Sequence, residues 1–172
     1  GDYRLRFNAC SGSSSNVAPE FYDDKSTLGE STTVPVATDS DTTGVDAQLA
    51  PGGSISGTVS GGDTGYSDPS GLGFICRISV DAYDSNGDLA GSDSFFAYSG
   101  DYSIRSLATG NYRLKFTYWC GNPSPVGGNH PPGKELSEFY DDESTLAAAI
   151  PVSVTAGSDT PNINAQLDKK VD

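Results

Sequence analysis

Basic residues are scarce in this chain of 172 residues, in which 10 Lys and Arg stand against 23 Asp and Glu and the formal net charge is −13. Because no basic stripe is available to neutralise phosphates, the composition argues against a nucleic-acid partner. The same charge argues against binding to anionic membranes. No run approaches the roughly 18 apolar residues of a membrane-spanning helix, so we also expect no membrane insertion.

Histidine and the common catalytic motifs are nearly absent as well. His130 is the only histidine, and it lies in a Pro/Gly-rich loop with no second histidine to share a metal or to activate a nucleophile. The patterns G-x-S-x-G and H-E-x-x-H and the P-loop do not occur. No carboxylate pair stands out among the acidic residues. We therefore expect His130 to be a surface residue and the protein not to be an enzyme.

What the chain does contain is an internal repeat of somewhat more than 110 residues. Four blocks recur in the same order: GDYRLRF and GNYRLKF at 1–7 and 110–116, EFYDDKSTL and EFYDDESTL at 20–28 and 138–146, VPV and IPV at 34–36 and 150–152, and AQL at 47–49 and 165–167. About 60 residues precede the second set of blocks and have no counterpart before the first set.

These blocks predict three segments. Residues 1–50, the first copy, form the C-terminal half of an incomplete repeat. Residues 51–168, the second copy, form a complete repeat with a front half (51–109) and a back half (110–168), and residues 169–172 are a tail or linker. Tandem β-modules usually serve as spacers, adhesins or binding modules, so we expect this chain to be a piece of a longer protein, in which the first copy is completed either in cis or by a neighbouring molecule.

The pattern of apolar residues predicts an all-β fold, because short alternating runs are separated by Gly, Asp, Ser and Pro. Within 112–119, for example, Tyr112, Leu114, Phe116 and Tyr118 share one face of a strand. Residues 139–140 are a candidate short strand, and 144–149 a candidate helical turn. Seven to eight strands at this spacing favour a β-sandwich; the predicted strands are 54–59, 74–83, 89–98, 102–107, 112–119, 151–154 and 163–167.

The string GDYSIRSLATGNYRL at 100–114 resembles the G-x-Y-x-I-x-x-L-x-x-G-x-Y-x-[LV] core of prealbumin-like modules. These modules include carboxypeptidase regulatory-like domains and the B-type repeats of collagen-binding adhesins. GSISGTV at 53–59 is similar to their first strand, and VDAYD at 80–84 to another strand. The tail from 138 to 167 is similar to bacterial secreted versions of the regulatory-like repeat. The resemblance implies tandem Greek-key modules of the prealbumin or immunoglobulin-like sandwich type.

Some adhesin repeats of this kind carry a Lys–Asn isopeptide bond assisted by a buried Glu. The first strand here, 53–59, contains no Lys, and Phe116 occupies the position where the Glu would lie. We therefore expect no isopeptide bond in this chain.

The three cysteines, Cys10, Cys76 and Cys120, follow the repeat. Cys10 and Cys120 lie at the same place in their copies, whereas Cys76 belongs to the front half that the first copy lacks. This arithmetic predicts one disulfide per complete repeat, Cys76–Cys120, and leaves Cys10 unpaired in this chain. Whether Cys10 is bridged to another segment or another chain stays open. Three free thiols in a reducing compartment are the alternative.

Two ligand sites are candidates. Calcium needs six to eight oxygen ligands. In the second copy, oxygen-bearing side chains cluster around one turn: Asp81, Asp84, Asn86 and Asp88. In the first copy the candidates are Asp39, Asp41 and Asp46. For the residues of the second copy, the alternative is an ordinary Asn-Gly hairpin turn. A sugar-stacking platform is the other candidate, formed by Trp119 and Tyr118 with Phe95, Phe96 and Tyr98; alternatively, Trp119 caps the core near the disulfide. No other cofactor is expected.

Together these features predict a non-enzymatic structural or adhesive repeat module of a secreted or surface-displayed bacterial protein, used in a stalk or fibre. The expected partners are neighbouring repeats or copies of the same protein, or a polysaccharide or matrix protein. The alternative from another class is a carbohydrate-binding accessory module of a secreted hydrolase.

Overall fold

The computed structural model describes residues 1–8, 15–61, 75–96, 99–121 and 134–167. Within these ranges the protein is all-β, with thirteen strands and no helix. Cys10, Tyr98 and His130, together with the 169–172 tail, lie outside the described residues, so the predictions made for them stay predictions.

The larger sheet of the second copy has β6 (Ile75–Tyr83) at its centre. This strand pairs antiparallel with β7 (Leu89–Phe95) on one edge and with β9 (Gly110–Gly121) on the other. The other edge of β9 pairs with β10 (Lys134–Phe139) and, near its N-terminal end, with β11 (Val152–Val154). The 12 residues of β9 therefore hold three partners in place.

The smaller sheet is built on β5 (Gly53–Ser60), which pairs antiparallel with β8 (Gly100–Leu107). Two short strands, β12 (Asp159–Thr160) and β13 (Ala165–Gln166), pair with β5 in the parallel sense. The back half of the repeat therefore supplies strands to both sheets and returns to the strand that began the front half.

Side chains of both sheets meet in one hydrophobic core, which is the arrangement of a β-sandwich. The face predicted for β9 is confirmed, because Tyr112, Leu114, Phe116 and Tyr118 are all buried. From the opposite sheet Tyr102 meets Phe116 edge to face, with ring centroids 5.9 Å apart. The rest of the core comes from both sheets and includes Ile55, Val59, Ile78, Val80, Ile104, Leu107, Val152, Val154 and Leu167.

The predicted strands are present, with two differences. Of the candidate strand at 139–140 only Phe139 is in a strand, as the last residue of the longer β10, and β12 was not predicted. The candidate helical turn at 144–149 is a hydrogen-bonded turn, in which Ala149 N donates to Thr145 O over 3.1 Å, but no helix continues it. A single such bond cannot offset the cost of nucleating a helix.

The first copy forms four short strands: β1 (Asp2–Tyr3), β2 (Arg6–Phe7), β3 (Glu20–Phe21) and β4 (Val34–Pro35). β1 pairs with β4 and β2 with β3, both antiparallel. Tyr3 lies opposite Val34 as Tyr112 lies opposite Val152. The counterpart of Val34 is therefore Val152, and matching the VPV block with the IPV block is wrong by two residues, because both contain Pro next to Val.

The EFYDD block has the same backbone conformation in both copies. Phe21 N donates to Lys25 O over 2.7 Å, and Phe139 N donates to Glu143 O over 2.8 Å. Both Asp residues of each block have positive φ, at 69° and 56° in the first copy and 67° and 62° in the second. Asp tolerates this left-handed region better than most residues, which gives the repeated acidic pair a local structural role.

Candidate assembly surfaces

The disulfide predicted from the repeat is present. Cys76 on β6 lies directly opposite Cys120 on β9, and the two are joined across the pair of strands. Both cysteines are buried. The bridge fastens the front half of the second copy to its back half, which are also held by the full β6–β9 ladder.

Two of the residues proposed as calcium ligands, Asp84 and Asp81, have other partners in the structure. The Asp84 carboxylate caps its own turn, accepting bonds from Asn86 N at 2.8 Å and Asp88 N at 3.0 Å. Asp81 lies opposite Lys115 on the neighbouring strand; burial raises its pKa, while the charges of Lys115 and Arg77 act in the opposite direction. Among the residues described, no three His, Cys, Asp or Glu side chains converge as a metal site.

The aromatic residues proposed for sugar stacking are separated by the pleat of β9. Tyr118 is fully buried, so its ring is not available to a ligand. Trp119 points to the other face and is 36% exposed, in register with Arg77 and Glu135 of the neighbouring strands. Phe95 packs against the core, whereas Phe96 is exposed. Trp119 therefore remains as an accessible aromatic residue flanked by charges of both signs.

The two copies differ sharply in what covers the inner face of their matching strands. Tyr3 is 55% exposed although its counterpart Tyr112 is 5% exposed, and Val36 is 38% exposed although Val154 is 2% exposed. Leu5 and Phe7 are only partly buried, whereas Leu114 and Phe116 are completely buried. The first copy thus presents an apolar sheet face that is less covered than that of the second copy, although Val34 is buried like its counterpart Val152.

Backbone pairing is incomplete in the first copy too. In the second copy β12 and β13 run along β5, but their counterparts, 41–42 and 47–48, form no strand and are exposed. We call the partly uncovered inner face of β1, β2 and β4, together with residues 41–48, the open face of the first copy.

Two polar residues that attach the back half to β5 were not predicted from the sequence. Asp159 accepts bonds from the Ser54 and Ser56 hydroxyls at 2.7 and 2.6 Å. The Asn164 amide oxygen accepts from Thr58 N at 2.9 Å. Aligning the copies could have found them, since Asp159 and Asn164 match Asp41 and Asp46, two of the residues assigned to calcium.

A separate set of contacts joins the first copy to the second, centred on Asn16. Its amide oxygen accepts from Ser106 N at 2.7 Å, and its amide nitrogen donates to Gly52 O at 2.8 Å. Gly52 N in turn donates to Asn16 O at 2.8 Å. A Cβ at Gly52 would lie 2.8 Å from Ser106 Cα, so the backbones approach too closely for any other residue. We call these three residues the Asn16 junction.

A cleft of about 410 Å³ lies between the two copies. The first copy contributes Arg6, Phe21 and Leu28, and the second contributes the 84–90 and 106–112 turns. The Arg6 guanidinium lies over the Phe21 ring, 5.9 Å from its centroid. The cleft combines an aromatic ring, a cation and the carboxylates of Asp84 and Asp88, which is chemistry suited to a polar ligand.

Comparisons of this chain with protein-family models, with curated proteins and with solved structures found no match. In the part of the chain that the structure describes, no helix is long and apolar enough to cross a membrane.

Proposed function

We propose that this chain is a non-enzymatic structural or adhesive segment of a secreted or surface bacterial protein, in which Greek-key modules of the prealbumin type follow one another as a stalk or fibre. The observation that carries the proposal is the Asn16 junction. It fixes one copy against the next through three backbone-directed hydrogen bonds of 2.7–2.8 Å.

A stalk must hold its modules at a fixed spacing. Flexible linkers between domains are commonly rich in Gly and Ser and leave the domains free to reorient. Here the connection passes through Pro51 and Gly52, where Val17 forms a β-bridge to Pro51 and Gly52 packs against the Ser106 backbone. Because the Asn16 bonds are between neutral groups and part-buried, salt should weaken them little.

The disulfide and the net charge support an extracellular location for this protein. Disulfides persist mainly in oxidising compartments, and the Cys76–Cys120 bridge ties the module together. A net charge of −13 keeps copies soluble and makes them repel one another wherever no specific contact holds them.

The proposal is tested by small-angle X-ray scattering on the full chain at low and at high salt. We expect one rigid particle whose distance distribution does not change with salt. Asn16→Ala should broaden that distribution, because the junction loses its donor and its acceptor, whereas Ser15→Ala, at an exposed neighbouring position, should not. If the wild-type chain already behaves as two independently moving bodies, the stalk proposal fails.

A carbohydrate-binding accessory module is the second candidate, favoured by the inter-copy cleft and by the exposed Trp119. Aromatic rings and paired polar groups are the usual means of holding sugars in open sites. Titration of the chain with soluble polysaccharides would favour this function if binding occurs and is lost in Trp119→Ala or in Phe21→Ala.

A further inference from the structure

The open face of the first copy lacks three things that the second copy has. The inner face of β1, and Val36 just after β4, lack a covering sheet, as the exposure of Tyr3 and Val36 shows, whereas Val34 is buried. The strand edge of β1 and β2 that corresponds to the β6 edge of β9 has no strand partner among the described residues. Residues 41–42 and 47–48 lack the strand beside which β12 and β13 lie.

One continuous segment supplies all three in the second copy. Within 53–107, β5 and β8 cover the inner face of β9 with Ile55, Ile104 and Leu107. β6 pairs along β9 through nine registered positions, and β5 is the strand that β12 and β13 join. A single front-half segment would therefore satisfy the whole open face at once.

Polar and charged residues of the first copy match the same segment. Asp41 corresponds to Asp159, whose carboxylate accepts from two serines of β5. Arg6 corresponds to Lys115, which lies opposite Asp81 of β6. Within the described residues no carboxylate partner of Arg6 is seen; its guanidinium lies over the Phe21 ring, and a carboxylate at the Asp81 position of an incoming strand would add an ion pair.

The front half of this chain is already committed to its own back half through the β6–β9 ladder and the Cys76–Cys120 bridge. A second copy of the chain could offer its front half only by opening that module. We infer that the open face binds a further front-half segment of the same repeat type, one that is not already held by its own back half. This inference rests on the proposed tandem-repeat function.

The experiment is to fuse a second copy of residues 51–109 directly ahead of Gly1 in the full chain and to follow backbone amide hydrogen exchange. We expect exchange in 2–7 and 41–48 to slow by roughly a hundredfold or more, because these amides join a closed module. We also expect Cys10, which the repeat predicts to be unpaired in this chain, to form a disulfide with the added copy of Cys76. A matched fusion whose added segment carries Ile55→Asp and Ile104→Asp should show neither change.

Unchanged exchange and a free thiol in the first fusion would overturn the inference, and so would equal protection in both fusions. Protection of 2–7 in the unfused chain that rises with protein concentration would also overturn it, by showing that a second copy is the occupant. The stalk proposal is judged separately by the Asn16 scattering experiment. A fusion that gains protection from exchange but still flexes at the Asn16 junction would overturn the stalk proposal and leave the present inference standing.

Discussion

Tyr102 illustrates, at the scale of single residues, how one polar group is placed in an apolar core. Its ring is 3% exposed, and its hydroxyl donates to Ile163 O over 2.7 Å. Burial raises the pKa of the phenol, and the charges of Tyr140 and Asp159 add to the effect. The folded pKa therefore lies above the unfolded value near 10, so this group contributes stability that is present below about pH 10 and is lost as pH rises further.

We predict that Tyr102→Phe lowers the free energy of unfolding at neutral pH by about 1 kcal/mol, because the Ile163 carbonyl loses its hydrogen bond. The variant should also lose less stability than the wild type between about pH 9 and 12, since one raised phenol pKa is gone. Urea denaturation across this pH range measures both effects. Tyr3→Phe, at an exposed position, is the control. An alkaline loss of stability that is the same in Tyr102→Phe and the wild type would contradict the prediction.

The disulfide acts at the scale of elements, by closing a long loop between two strands that are already paired. The two cysteines are 44 residues apart, and loop-closure entropy assigns such a crosslink about 4 kcal/mol. We predict that the double variant Cys76→Ala, Cys120→Ala is destabilised by about that amount but keeps the β6–β9 pairing, which spans nine positions. Chemical denaturation with and without reductant tests this. The double variant should not respond to reductant, whereas the wild type should fall to the stability of the variant.

A strand could be predicted from the sequence when several of its side chains are buried, because burial shows as alternating apolar residues. β6 and β9 were predictable because alternating residues such as Ile78, Val80, Leu114 and Phe116 face one core. β12 was not, since Asp159 and Thr160 lie in a polar run, and the Asp159 carboxylate binds the Ser54 and Ser56 hydroxyls of β5 instead of packing into the core. The cysteine pairing followed from comparing the copies. The Asn16 junction could not be foreseen, because Asn16 lies in a loop whose contacts depend on the tertiary arrangement of both copies.

At the scale of the whole molecule, the chain carries one backbone arrangement in two environments. Tyr22 N donates to Leu5 O over 3.0 Å, and its counterpart Tyr140 N donates to Leu114 O over 2.9 Å. The bonds are alike, but Leu114 is fully buried and Leu5 is not. Opening the first copy therefore exposes much less apolar surface than opening the second.

We predict that the Tyr22 amide exchanges with solvent roughly a hundredfold or more faster than the Tyr140 amide in the same sample. The two sites are matched in sequence and hydrogen bonding, so each serves as the control for the other. Residue-resolved hydrogen exchange by NMR makes the measurement, and a titration with urea should lose the protection of Tyr22 first, because less surface holds its copy closed. Equal protection of the two amides in a dilute sample would mean that the first copy is as well covered as the second. In that case neither the open face nor the need for a complementary segment would stand.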